Sequence, residues 1–70
     1  MDARSQFAAN LLRLRVAAGL TQEGLSDRSG LHSTEISRLE RGVRDPRLST
    51  IVRIARALGV PPADLLAEVS

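Results

Sequence analysis

Between Ser33 and Arg41 the chain interleaves Ser33, Thr34, Ser37, Arg38 and Arg41 with two apolar residues, Ile36 and Leu39, spaced three apart. Hydroxyls both donate and accept hydrogen bonds, and a guanidinium presents a fixed fork of donors. Wound into a helix, Ile36 and Leu39 share one face and leave the polar set on the other. That is a surface built for recognition by hydrogen bonding. Catalysis has no comparable foundation. The chain has one histidine, His32, and no cysteine. It also lacks a convergent carboxylate pair and a glycine-rich phosphate loop, so acid–base, nucleophilic and metal chemistry have no constellation to work with. As the sole imidazole, His32 is better read as an exposed or anion-facing residue than as a metal ligand. No cofactor or small-molecule ligand is implied, and an enzyme is not expected.

The segment just before this stretch must position it. Thr21 is a good N-cap for a short helix over 21–29, because its hydroxyl can accept from a free amide of the first turn. Gly30 stands where that helix should stop, since glycine takes positive φ without strain. Ser26, small and four residues earlier, suits a close crossing with a helix over 33–41. Leu25, Leu31, Ile36 and Leu39 would point into one shared core. The spacing fits a helix-turn-helix over 21–41, and it fits an ordinary helical hairpin with no ligand equally well. Two local preferences are broken. Gly24 inside the first helix costs up to about 1 kcal/mol against alanine. His32 stands at the cap of the second, where Ser or Thr would serve better. A helix pair stabilised by packing rather than local propensity is expected.

Three more helices are expected around this pair. Phe7, Leu11, Leu14 and Ala18 recur at helical spacing over 5–18, with Ser5 as N-cap and Gly19 as the stop. Leu12 falls off that face, free to be exposed or to meet another subunit. Residues 42–47 form a turn-rich loop, with Gly42 just past the preceding helix and Pro46 excluding helix at Asp45. Over 48–58, Leu48, Ile51, Ala55 and Leu58 share a face with Ile54 beside them, and Val52 lies off it. Gly59 ends this helix. Pro61 and Pro62 suit the entry to a short fifth helix over 62–68 that offers Leu65, Leu66 and Val69. The only aromatic is Phe7, so the core must be aliphatic. Seventy residues make one domain, 1–70, near the lower limit for a self-sufficient core.

A net charge of +2 is too small to imply nucleic acid by itself. Its distribution says more. Residues 1–37 balance four arginines against four acids. Residues 38–56 carry Arg38, Arg41, Arg44, Arg47, Arg53 and Arg56 against Glu40 and Asp45, a local +4, and residues 57–70 carry a local −2. Positive charge thus begins in the polar helix and runs through the loop after it. There is no lysine. Guanidinium forks match phosphate oxygens and guanine edges better than a point charge does, although a GC-rich coding bias would also favour arginine. Without cysteine there is no disulfide framework. No apolar run approaches the roughly 20 residues of a membrane span, and no signal peptide opens the chain, so a reducing cytoplasm is the expected location.

The chain resembles the phage lambda-repressor-type (Xre-type) DNA-binding domain. The resemblance is carried by Phe7, Leu11, Leu14 and Arg15, by Gly19-Leu20-Thr21-Gln22 and Leu25, and by Gly30-Leu31. It continues through the run from Ile36 to Gly42, Pro46, Leu48, Ile51, the run from Ile54 to Val60, and Leu65. It spans about residues 5–67, five segments in order and at the right spacing. The family's usual Glu is absent at Gly24, so the capping-box partner of Thr21 is lost. The resemblance implies an all-α, five-helix lambda-repressor-like domain that binds double-stranded DNA. By the same resemblance Ser33, Thr34, Ser37 and Arg38 occupy base-reading positions, and Gln22, His32, Arg41, Arg44 and Arg47 phosphate-contacting ones. Arg38 as a phosphate contact or a solvated side chain, and the loop arginines as plain surface, are the alternatives. Arg15 and Glu40 are implied to form a structural ion pair. A homodimer on a two-fold symmetric site is expected, with Leu12, Val52, Leu66 and Val69 nominated for the subunit contact; they could instead complete the monomer core. A chain this short is expected to carry no separate effector or dimerisation domain, which is similar to restriction-modification controllers and antitoxin-type repressors. The rival reading is a protein-interaction module or antitoxin of the same fold with little DNA binding.

Overall fold

A computed structural model of the chain describes residues 1–70 as five helices without strands: α1 (Ala3–Ala17), α2 (Gln22–Ser29), α3 (Ser33–Glu40), α4 (Leu48–Leu58) and α5 (Pro62–Leu65). Helices α2 and α3 rest on different supports. Helix α3 packs on α1 and on α2, α2 also packs on α4, and α5 closes the gap between α4 and α1. One aliphatic core joins them all, with Leu11, Leu25, Ile36, Leu39, Ile54 and Leu65 fully buried around Phe7. Leu14, Leu20, Leu31, Leu58 and Val60 pack half-buried against it. At about 25 cal/mol per Å² of apolar surface removed from water, this burial is the main force holding the helix pair in place.

Helix α1 begins two residues before the expected start. Asp2, not Ser5, is its N-cap, and the Asp2 carboxylate accepts from the Ser5 amide at 2.8 Å. Ser5 therefore lies inside the first turn. The cap also lowers the Asp2 pKa from its ordinary 3.8, chiefly through the hydrogen bond from the Ser5 backbone amide. At the other end Ala18 is the C-cap and is exposed, so it does not extend the inner face. In α4, Ile51, Ile54 and Ala55 are buried. Centring the inner face on these three turns Leu48 outward, where it is 76% exposed instead of sharing the core.

The fifth helix is shorter than expected, ending at Leu65 rather than near residue 68. Its continuation would need the Val69 amide to reach the Leu65 carbonyl. That carbonyl is taken by the Asn10 side chain at 2.9 Å, and the Val69 amide turns to Leu66 instead. A second Asn10 bond holds the Ala67 carbonyl at 2.8 Å, and Glu68 adopts positive φ in the turn that results.

Candidate nucleic-acid interface

The local devices that shape the helix pair follow from the sequence between Thr21 and His32. The Thr21 hydroxyl accepts from the Gly24 amide at 2.9 Å, so the cap survives the absence of its capping-box partner. The amides of Gln22 and Glu23 keep no acceptor in the protein and point out of the helix start. Gly30 closes α2 in the left-handed region at φ 75°. The Ser26 hydroxyl donates to the Leu31 carbonyl, and the Ser29 hydroxyl accepts from the Leu31 amide at 3.2 Å. Only Leu31 and His32 separate this turn from α3, so whatever fixes the turn also fixes the start of α3. His32 caps α3 with its backbone alone; its side chain is exposed and makes no cap bond.

Helix α3 presents three faces. Ile36 and Leu39 are fully buried. On the opposite arc Thr34, Arg38 and Arg41 are exposed, and neither arginine has an acidic partner. Ser33 and Ser37 line one flank, half-buried, and Glu35 the other. Thr34, Arg38 and Arg41 thus form a ridge whose donors are uncommitted.

A polar cleft lies to each side. The first, about 540 Å³, is lined by Thr21, Gln22 and Glu23 from the start of α2 and by Ser33, Thr34 and Ser37 from α3. It brings the free amides of the α2 start beside the hydroxyls of α3, a place where partial positive charge favours an anion. The second, about 400 Å³, runs between the α2–α3 turn and the start of α4; His32, Glu35, Arg44, Arg47 and Arg53 are among its walls. Arg47 is exposed and without an ion pair. Arg44 lies 3.4 Å from the Glu35 carboxylate, a pair half open to solvent. An exposed pair of this kind holds by about 0–1 kcal/mol and yields readily to a stronger anion.

Behind the ridge, Arg15 and Glu40 meet in a fork: Arg15 Nε lies 2.6 Å from one carboxylate oxygen and Nη2 3.0 Å from the other. Their side chains are only 13% and 7% exposed. Arg15 also donates to the Leu20 carbonyl at 2.8 Å, which satisfies a third donor. The hydrogen bond to Glu40 raises the Arg15 pKa above its ordinary value, so the guanidinium stays charged. Gln22, expected on a phosphate, donates from its amide nitrogen to the same Glu40 carboxylate at 3.0 Å. Gln22 also lines the first cleft, and its second amide hydrogen has no partner in the protein. Glu40 therefore ties the end of α1, the start of α2 and the end of α3 into one network.

Two polar anchors were not anticipated from the sequence. Asn10 is one, buried among the helices at 3% exposure. Arg53 is the other: its Nε donates to the Ser29 carbonyl at 3.2 Å, from α4 to the end of α2. The carbonyls that they hold lie more than twenty residues away, so no short-range pattern would expose them. The residues nominated for a subunit contact lie on α1, on α4 and in the segment after α5. Leu66 and Val69 line, with Phe7 and Pro46, an apolar groove of about 150 Å³ near the start of α1. Leu12 is exposed on α1 but is not part of that groove, and Val52 is half-buried on α4.

Two short helices crossing at a glycine turn, one offering an uncommitted polar ridge between two polar clefts, define a helix-turn-helix domain. The helix-turn-helix family model HTH_3 matches residues 11–65, and the chain belongs to that family. It is 44% identical over 66 residues to the uncharacterized HTH-type transcriptional regulator y4dJ of Sinorhizobium fredii, covering 94% of this chain and 86% of that protein. It is 41% identical over 64 residues to the control protein C.BamHI of Bacillus amyloliquefaciens, covering 90% and 79% of the two. Among solved structures it is similar to the restriction-modification controller protein C.AhdI from Aeromonas hydrophila, with a TM-score of 0.86 and 39% identity over 89% of this chain and 94% of that one. The expected all-α helix-turn-helix architecture is thereby established.

Proposed function

We propose that the chain is a DNA-binding transcriptional regulator that reads a two-fold symmetric operator as a homodimer. DNA-binding regulation, rather than enzymatic activity, follows from its family and from relatives named as regulators and restriction-modification controllers. The finer reading rests on one observation: the ridge of α3 keeps its donors free while cationic and amide groups flank it on both sides. In a helix-turn-helix the second helix enters the major groove and flanking groups hold the backbone. Ser33, Thr34, Ser37 and Arg38 then face base edges. Serine and threonine accept several edges, whereas Arg38 can take guanine O6 and N7 with its fork, worth about 1–3 kcal/mol of discrimination. Gln22 and the amides beside it take one phosphate cluster; His32, Arg41, Arg44 and Arg47 take the other. One α3 reads one half-site, and two copies about 34 Å apart supply operator-length specificity. Leu66 and Val69, with Val52 and Leu12, offer the apolar surface for that second copy.

Selection of bound duplexes from a random pool tests the reading. A two-fold symmetric site is expected, and Arg38→Ala is expected to erase base preference at one position in each half. Uniform weakening of every sequence by Arg38→Ala would make it a backbone contact. No shift of any duplex at low salt would remove DNA binding altogether.

A further inference from the structure

Arg53 reaches out of α4 to the turn that leads into α3. Helix α2 has eight residues, with Gly24 in its interior, so its own propensity holds it weakly. Its last turn leaves carbonyls without intrahelical donors. Arg53 supplies one from outside: its Nε donates to the Ser29 carbonyl at 3.2 Å, placing a cation at the negative end of the helix. The same guanidinium lies against Gly30. A Cβ at Gly30 would stand 2.6 Å from Arg53 Nη2, so the absence of a side chain at 30 serves this contact as well as the φ of +75°. Ser26 and Ser29 hold Leu31 from within the turn, while Arg53 alone ties the turn by a hydrogen bond to a different helix.

We infer that Arg53 is a positioning residue that sets the tilt of α3 by clamping the Ser29–Gly30 turn to α4, so that base selectivity, more than affinity, depends on it. The inference rests on the proposed reading role of α3 but concerns a residue that the reading does not use. A guanidinium engaged with a carbonyl has its Nε committed to the fold. Its remaining donors border the cleft that Arg44 and Arg47 also line, so a plain phosphate contact is the competing role. Salt separates the two, because every phosphate deprived of its cation lowers the slope of log affinity against log salt by about 0.9.

The experiment measures binding of Arg53→Ala to a selected duplex and to a random-sequence duplex across a salt series. The expected result is a fall of about ten-fold per half-site in the ratio of the two affinities, the size of one displaced base contact in each half, with an unchanged salt slope. Arg53→Gln keeps the stem of the side chain, carries the same expectation, and serves if Arg53→Ala does not fold. A salt dependence flattened by about 0.9 per half-site with the ratio preserved would make Arg53 a phosphate contact and overturn the inference; so would no change in either. If the unaltered chain does not discriminate between duplexes, the proposed function has failed, and amide exchange decides the clamp by itself. The Gly30 and Leu31 amides should then exchange several-fold faster in the variant at matched global stability, and unchanged exchange would overturn the clamp.

Discussion

The side-chain amide of Asn10 donates to the Leu65 carbonyl at 2.9 Å, a bond between the first helix and the last across 55 positions of sequence. The same nitrogen donates to Ala67 at 2.8 Å, and the Asn10 oxygen accepts from Gln6 at 3.1 Å. A buried amide with both ends satisfied costs little; a buried carbonyl stripped of its donor costs about 1–3 kcal/mol. Asn10→Ala is expected to destabilise the domain by that amount and to release the segment after Leu65. Thermal unfolding measures the first effect, and faster exchange of the Val69 amide the second. An unaltered melt with an unaltered C-terminal segment would show that apolar packing of Leu65 suffices.

Two ion pairs with very different exposure give a paired test of burial. Arg15–Glu40 is 13% and 7% exposed, whereas Arg4–Asp45 is 50% and 84% exposed at 3.7 Å. Removing Glu40 strands a nearly buried guanidinium and leaves Gln22 without its acceptor, a loss expected near ~3 kcal/mol. Removing Asp45 frees an exposed arginine to solvent and should cost about 0–1 kcal/mol. Chemical denaturation of Glu40→Ala and Asp45→Ala makes the comparison. Equal losses would mean that the Glu40 network is worth no more than a surface pair.

What could be read from the sequence sorted by range. Thr21 capping α2, Gly30 and Gly59 closing helices at positive φ, and the inward faces of Leu25, Ile36 and Leu39 are local or periodic, and each is present. The expectations that failed are mostly those where a distant residue competed for a local group. Asn10 takes the carbonyl that would have lengthened α5, and the core centre at Ile51 and Ile54 turns Leu48 outward. Ser5 yields the cap to Asp2, a nearby competitor three residues earlier. The surface ridge was legible because helical period alone opposes Thr34 and Arg38 to Ile36 and Leu39. Of the supports beneath it, the Arg15–Glu40 pair was implied by the family resemblance and is present, whereas the contacts of Arg53 and Gln22 were not legible, because their partners are set by the packing of helices far apart in sequence.

Acid should loosen the start of α1 first. The folded-state pKa of Asp2 is lowered, so the cap contributes above the ordinary value of about 3.8 and is lost as pH falls through the lower folded value. The Ser5 amide should accordingly lose protection below pH 3.8 while the core holds. In Asp2→Asn the cap no longer titrates, and the pH dependence of Ser5 protection should flatten. Protection of Ser5 that ignores pH in the unaltered chain would assign the cap to another group.

The apolar surface at the C-terminal segment predicts a change of association rather than of fold. Leu66 is 41% exposed beside the groove lined by Phe7, Pro46 and Val69. Leu66→Lys should leave monomer stability within about 0.5 kcal/mol, as exposed substitutions do. A charge on a desolvated subunit contact is costly, so sedimentation should shift towards monomer. Binding to a two-half operator should then weaken far more than binding to a single half-site. Unchanged sedimentation would place the subunit contact elsewhere.

Arg41 and Arg47 are exposed, unpaired and on the α3 ridge and the loop edge respectively. A cation that neutralises one phosphate releases about 0.9 counterions, whatever the base sequence beneath it. Arg41→Ala and Arg47→Ala should each flatten the salt dependence by about 0.9 per half-site and weaken selected and random duplexes in the same proportion. Arg44 should behave likewise with a smaller loss of affinity, because contact with DNA first requires it to leave Glu35. The pattern is opposite to that expected of Arg38, whose removal should spare the slope and erase a base preference. If Arg41→Ala changes which base is preferred while the slope stays fixed, the groove-facing ridge extends one turn further along α3 than proposed, and Arg41 belongs with the base readers.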